Sequence, residues 1–247
     1  MSGARTNEDV LVVHGANAVA ELLRSGEPVS RLQLQRGGPR TQELAGQARA
    51  RGIDAEVVER AALDRLAGTP HHQGAAAVTR SFPYVGIEDL LAGDPTNALV
   101  LDGVQDPRNL GAILRTARAA GVGGVVLPRD RSVGVTPAVV SASAGLVFGL
   151  RVARVPNLVR AMEALKEAGL WTVGLAPRDG TPLYAFAPPA RLALVAGGEG
   201  DGLRTLVRRT CDFTVSLPMT AGVESLNVGV AVAVALYELL VRPRARL

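Results

Sequence analysis

Ala98-Leu-Val-Leu101 runs directly into Asp102-Gly-Val-Gln-Asp-Pro-Arg-Asn-Leu-Gly-Ala-Ile-Leu-Arg-Thr-Ala-Arg-Ala-Ala-Gly121. The first four residues have the length and composition of a buried strand, and Asn109–Ala120 has the periodicity of a helix. Leu110, Ile113, Leu114 and Ala117 follow the i, i+3, i+4, i+7 spacing of a core face. Gly111, Arg115 and Arg118 share another face, with Arg108 just ahead of the helix. A bare glycine at the start of such a stripe would let a phosphate or ribose come close, with guanidinium groups beside it.

The same strand-then-helix alternation continues outward. Strands are expected at Gly124–Leu127, Arg151–Val155, Trp171–Leu175, Leu192–Ala196 and Phe213–Leu217, with helices at Pro137–Ala144, Leu158–Ala168, Leu203–Arg209 and Leu226–Leu240. Alternation of this kind predicts an α/β domain over 97–247, with a mostly parallel sheet and helices on both faces. Ligands then bind beyond the carboxyl ends of strands, which draws attention to the residues after Leu101, Ala196 and Leu217. Upstream, residues 1–80 alternate short helical and strand-like stretches and read as a small α/β unit. Helices are expected at Asn17–Leu23, Thr41–Arg51 and Ala62–Leu66, and strands at Leu32–Gln35, Ala55–Val58 and Ala75–Val78. Residues 81–96 carry Pro83, Gly86, Gly93 and Pro95 and read as a linker.

Two further stretches carry candidate chemistry. Leu192-Ala-Leu-Val-Ala-Gly-Gly-Glu-Gly-Asp-Gly202 is a strand running into a glycine-rich turn, which brings backbone close to a ligand. No acidic residue stands about 20 positions on, as a dinucleotide site would require. With Lys166 as the sole lysine, a phosphate-binding loop of the Walker type is excluded. In Leu217–Asn227, Ser225 can cap the helix that follows, and Asn227 is a polar residue in the first turn of an apolar helix.

Composition bounds the functional classes. Apolar residues make up 47% of the 247-residue chain, enough for a large core, while aromatic residues are only 3%, too few for many base-stacking platforms. A single cysteine, Cys211, allows no internal disulfide and no zinc knuckle. It reads as a small buried residue in an intracellular protein. Met1–Asp9 is polar with both charge signs, which predicts no secretory signal, and the apolar segment at Leu226–Leu240 is too short for a membrane span. A soluble, cytoplasmic protein is expected. Residues before Asn97 hold 10 basic against 12 acidic groups, and those from Asn97 onward hold 17 against 11. A nucleic-acid backbone would therefore be gripped mostly by the second half.

Taken together, the three stretches resemble the SpoU/TrmH branch of the SPOUT methyltransferases. Asn109-Leu-Gly-Ala-Ile-Leu-Arg115 is similar to that family's first motif, Leu194-Val-Ala-Gly-Gly-Glu199-Gly to the second, and Leu217-Pro-Met through Ser225-Leu-Asn227 to the third. Val13-His14-Gly15 and His71-His72-Gln73-Gly74 resemble the small RNA-binding domain, of the ribosomal-protein-L30e type, that precedes the catalytic domain in bacterial 23S rRNA guanosine-2′-O-methyltransferases. The resemblance implies a C-terminal trefoil knot and a homodimer whose site is completed across the interface. It implies S-adenosylmethionine as cofactor, held around Gly197, Leu217, Met219 and Leu226, with no metal. Arg115, Asn109, Glu199, Ser225 and Asn227 are the implied catalytic set, with Arg108 and Arg118 on RNA. Arg115 could act as a base or as a phosphate and alkoxide stabiliser, and Glu199 could instead be the base. The implied substrate is 23S rRNA, with tRNA as the alternative. A non-catalytic RNA-binding protein and a nicotinamide-dependent oxidoreductase are the rival classes.

Overall fold

The computed structural model describes residues 10–199 and 202–244; Met1–Asp9, two residues of the glycine-rich turn, Gly200 and Asp201, and residues 245–247 lie outside the described residues. The chain divides into two compact units, one formed by residues 1–83 and 135–149, the other by 84–134 and 150–247.

In the first unit, β1 (Val10–His14), β2 (Val29–Gln35), β3 (Ala55–Val58) and β4 (Ala75–Arg80) form a sheet in the order β1-β4-β2-β3. The β1–β4 and β4–β2 pairs are antiparallel, and β2–β3 is parallel. Helices α1 (Ala16–Ser25), α2 (Pro39–Ala50) and α3 (Arg60–Ala67) supply Leu22, Leu44 and Leu63 to its core, all fully buried. The segment from Val135 to Gly149 contributes the helix Pro137–Ala142 and the short turn Leu146–Gly149 to this unit, packed on β1 and α1. At Gly145, where φ is +81°, an added Cβ would lie 2.5 Å from the Ala18 backbone, so only glycine permits the approach to α1.

The second unit opens with a short helix, α4 (Ile87–Ala92), inside the stretch read as a linker; Asp89 accepts the Gly86 N–H at 3.2 Å to start it. There follow β5 (Asn97–Asp102), α5 (Pro107–Ala119), β6 (Val125–Pro128), β7 (Val152–Val155), α6 (Leu158–Glu167), β8 (Trp171–Ala176), β9 (Thr181–Pro182), β10 (Leu192–Gly197), α7 (Thr205–Thr210), β11 (Phe213–Ser216) and α8 (Val228–Leu236), the last continuing into a π-helical turn at Tyr237–Val241. Its seven-stranded sheet has the order β7-β6-β5-β10-β8-β11-β9, and every pairing in it is parallel. β5 and β10 lie at its centre and are buried along their whole length. Alternate residues Ala98, Val100, Ala193 and Val195 join a core with Leu158, Met162 and Leu165 of α6 and Val207 of α7. Leu99, Leu101 and Leu194 must point the other way. They are equally buried, on the face where α8 packs against β10 and α5. No helix among the described residues is long and apolar enough to cross a membrane.

Candidate active site

Parallel strands end together, so the loops after β5, β10, β8 and β11 meet at one edge of the sheet. Two of them cross at van der Waals limits. A Cβ at Gly198 would fall 2.2 Å from the Gly103 oxygen, where the turn after β10 meets the loop after β5, and one at Gly197 would fall 2.0 Å from the Gly202 carbonyl carbon, where that turn folds back on itself. These glycines are needed first because backbone crosses backbone. Asp102, at the end of β5 and fully buried, clamps the crossing: its carboxylate accepts the Arg204 N–H at 2.9 Å and the Arg204 Nε–H at 2.6 Å. Asp102 falls among the residues after Leu101 that the carboxyl-end rule marks, but nothing in the sequence singles out Arg204 as its partner.

Behind the crossing lies a cavity of about 320 Å³, with Leu175, Ala176 and Pro177 from the β8 end, Gly197, Gly198, Glu199 and Gly202 from the turn, and Leu217, Met219, Ser225, Leu226 and Asn227 from the loop after β11 among its walls. All four residues expected to hold a cofactor, Gly197, Leu217, Met219 and Leu226, therefore share one cavity, together with Glu199, Ser225 and Asn227. The β8 contribution was missed; the carboxyl-end rule, applied to β8 as it was to β5, points to Leu175. The volume is that of a small-molecule site. Its described walls are mostly apolar and backbone, with no lysine or arginine and one carboxylate.

Asn109 reaches this cavity through hydrogen bonds. Its Nδ2 donates to Glu199 Oε1 at 2.6 Å, and its Oδ1 accepts from Asn227 Nδ2 at 3.0 Å. Asn227 Oδ1 in turn accepts the Gly229 and Val230 N–H groups at 2.9 and 3.4 Å. One directional line thus joins all three stretches, and every amide in it is oriented by its neighbours. Burial tends to raise the Glu199 pKa, but the Asn109 amide and the backbone N–H groups of Glu199, Gln105 and Asp106 outweigh it and hold the carboxyl below its ordinary value. Asn227, not Ser225, caps α8; Ser225 is exposed on the cavity wall.

Helix α5 starts at the same edge. Asp106 caps it by accepting the Arg108 N–H at 2.7 Å, and Pro107 occupies its first turn. Leu110, Ile113, Leu114 and Ala117 are buried as the spacing predicts. Gly111 is buried too, so it offers no open landing for a phosphate: that part of the chain packs α5 against α8, where a Cβ added at Gly229 would fall 3.9 Å from Ala112 and Ile113. Arg108, Arg115 and Arg118 are exposed and line no wall of the cavity. Arg115 stands about 9 Å along the helix axis from Asn109. Cys211 is partly buried and its thiol is pushed up to about 11, chiefly by burial, which leaves it unreactive.

Comparison with known proteins gives these geometries a context. Residues 96–237 match the SpoU rRNA Methylase family, and residues 12–85 match the RNA 2′-O ribose methyltransferase substrate binding family. The chain is 43% identical over 232 residues, 91% of its own length and 93% of the other's, to the 23S rRNA (guanosine-2′-O-)-methyltransferase RlmB of Xanthomonas campestris pv. campestris. Among solved structures it is similar to the SpoU methyltransferase AviRb from Streptomyces viridochromogenes in complex with the cofactor AdoMet, at 26% identity and a TM-score of 0.81, covering 98% of this chain and 95% of that one. It shares the fold of an AdoMet-bound rRNA methyltransferase from Sinorhizobium meliloti, at 24% identity and a TM-score of 0.80, covering 97% and 88%.

Proposed function

The chain belongs to the SpoU rRNA methylase family, and from that premise we propose that it transfers a methyl group from S-adenosylmethionine to the ribose 2′-hydroxyl of a guanosine in 23S rRNA. The observation that carries the proposal is the hydrogen-bonded line Glu199–Asn109–Asn227 at the mouth of the cavity. The cavity fits the cofactor. Its described walls hold no cation for a polyphosphate, whereas an anionic Glu199 suits a positively charged sulfonium. When bound, S-adenosylmethionine supplies an already electrophilic methyl carbon, so the chain must provide orientation and a place for negative charge on the ribose oxygen.

Gly197, Leu217, Met219 and Leu226 would hold the cofactor by backbone edges and apolar contact. Asn109, fixed at both ends of its amide, and Ser225 on the wall would set the ribose. Arginine hardly ever gives up its proton, so Arg115 is assigned to the phosphate next to the target ribose and to the developing alkoxide, with Arg108 and Arg118 on flanking phosphates. Glu199 positions Asn109 rather than removing the hydroxyl proton. The first unit is assigned to RNA substrate binding through an L30e-like fold, a reading supported by the match over residues 12–85. We further assign the chain from β10 to α8 to a trefoil knot, the pair of chains to a homodimer, and the site of action to the cytoplasm.

Methyl transfer from labelled cofactor to separated rRNA and tRNA pools, followed by mapping of the modified nucleotide, tests the proposal. Label on a guanosine ribose of 23S rRNA is the expected result. Label confined to tRNA would move the substrate, and no label in either pool would remove the activity.

A further inference from the structure

In the second unit some arginines meet a carboxylate and others do not. Arg178, Arg191, Arg204, Arg208 and Arg242 each have a carboxylate partner. Among the described residues no such partner stands within 4.0 Å of Arg129 or Arg131, and Asp130 between them pairs with neither. Both are exposed, in the loop that leaves the carboxyl end of β6 at Pro128.

That loop is built onto the active-site edge. The Val104 carbonyl, in the loop between β5 and α5, accepts the Val133 N–H and the Ser132 hydroxyl, each at 3.0 Å. The Arg131 oxygen lies 3.6 Å from where a Cβ of Gly103 would stand, and Gly103 is the residue that Gly198 crosses. Arg154 braces the other side: its guanidinium sits 5.7 Å from the Tyr84 ring centre and donates to the Arg129 carbonyl at 3.0 Å. So one continuous row of backbone runs from the cavity turn, through Gly103 and Val104, to Arg129 and Arg131. Arg131 is held there at φ +58°, in a conformation that non-glycine residues seldom adopt.

An arginine paired with a carboxylate has its charge answered within the chain, whereas two exposed guanidiniums without such a partner, on a loop tied to the edge of a site that handles RNA, suit phosphate oxygens. We infer that the Arg129–Arg131 loop is a second phosphate-binding element, which carries the RNA backbone outward from the target ribose on the β6 side of the sheet. The inference rests on the proposed RNA 2′-O-methyl transfer and extends its substrate path beyond α5.

The test uses the full chain and a 23S rRNA transcript. RNA affinity is measured across a potassium chloride series for wild type, Arg129→Gln/Arg131→Gln, Arg129→Lys/Arg131→Lys and Arg209→Gln, with S-adenosylmethionine titrated calorimetrically into each. Each phosphate contact contributes about 0.7 to 0.9 to the slope of log affinity against log salt. The double glutamine variant should show a slope shallower by about 1.4 to 1.8 with unchanged cofactor affinity. The lysine pair should restore the slope, since charge rather than loop shape is what phosphate reads. Arg209, exposed just before the amino end of β11, should leave it unchanged. A wild-type slope in the glutamine pair, failure of the lysine pair to restore it, or equal flattening by Arg209→Gln would each overturn the inference. Absence of cofactor uptake or methyl transfer by wild type would instead strike the parent reading, and the salt slopes would still be readable.

Discussion

At Glu199, burial and hydrogen bonding pull in opposite directions, and hydrogen bonding wins. A carboxyl whose folded pKa is depressed contributes stability above its unfolded pKa, and that contribution is lost as pH falls through the folded value. Glu199 is therefore an anion throughout the neutral range. A group so acidic is a weak base, because a general base works best with a pKa near the operating pH. Glu199→Gln keeps an oxygen for the Asn109 amide but places its own NH₂ or a single oxygen where two acceptors stood. Methyl transfer should fall by roughly tenfold and by the same factor from pH 6 to 9, short of the 10²–10⁴ that removal of a general base costs. The stability gap between wild type and variant should close as pH drops below the ordinary carboxylate range, read by denaturant melts at several pH values. A loss of about 10² or more in kcat would make Glu199 the base after all.

Among elements, α8 depends on one side chain that also belongs to the site. Asn227 Oδ1 caps the helix, and Asn227 Nδ2 orients Asn109. The two duties separate in Asn227→Asp, which keeps a capping oxygen and suits the helix N-terminus but cannot donate to Asn109. Its Tm should stay within a few degrees of wild type, while methyl transfer falls at least about tenfold because the Asn109 amide, proposed to set the ribose, is released. Asn227→Ala should lose both, with about 1 kcal/mol of stability gone with the cap. Equal activity in Asn227→Asp and wild type would leave Asn227 a cap alone. This division was only half legible beforehand. The sequence marks Asn227 as a polar residue needing partners, but places the cap at Ser225, because Ser and Asn are equally good caps and only the backbone decides which stands at the helix start. The strand–helix rhythm was legible because β5, β8 and β10 are short apolar stretches and α5 and α6 carry clear one-sided spacing. Three other elements were not. α4 has six residues in a Pro- and Gly-bearing stretch, β9 has two, and β1 is a five-residue strand that no turn signal announces. The Asp102–Arg204 clamp was hidden for a different reason: its partners are 102 residues apart and meet only because β10 lies beside β5.

For the whole molecule, chain order and spatial grouping diverge: residues 135–149 leave the second unit to complete the first, although the strand–helix rhythm reads straight through them. A single sequence reports periodicity, not which core receives a helix. The same limit applies to the proposed homodimer, for which α8 offers a physical argument. Leu226, Val230 and Tyr237 are 41%, 51% and 48% exposed, and their spacing of four and then seven residues keeps the two helical positions on one side of α8 and its continuation. An apolar stripe of that kind, left open to water, is what a protein interface covers. Leu226 also walls the cavity, so covering the stripe would close the cofactor site from outside. Val230→Glu places a charge in the middle of the stripe without removing a side-chain hydrogen bond of the Glu199–Asn109–Asn227 line. Light scattering should give twice the chain mass for wild type and a single chain mass for the variant, and the variant's affinity for S-adenosylmethionine should drop with its mass. Should wild type run as a single chain and still transfer methyl groups, the stripe serves another purpose and each cavity is complete within one chain.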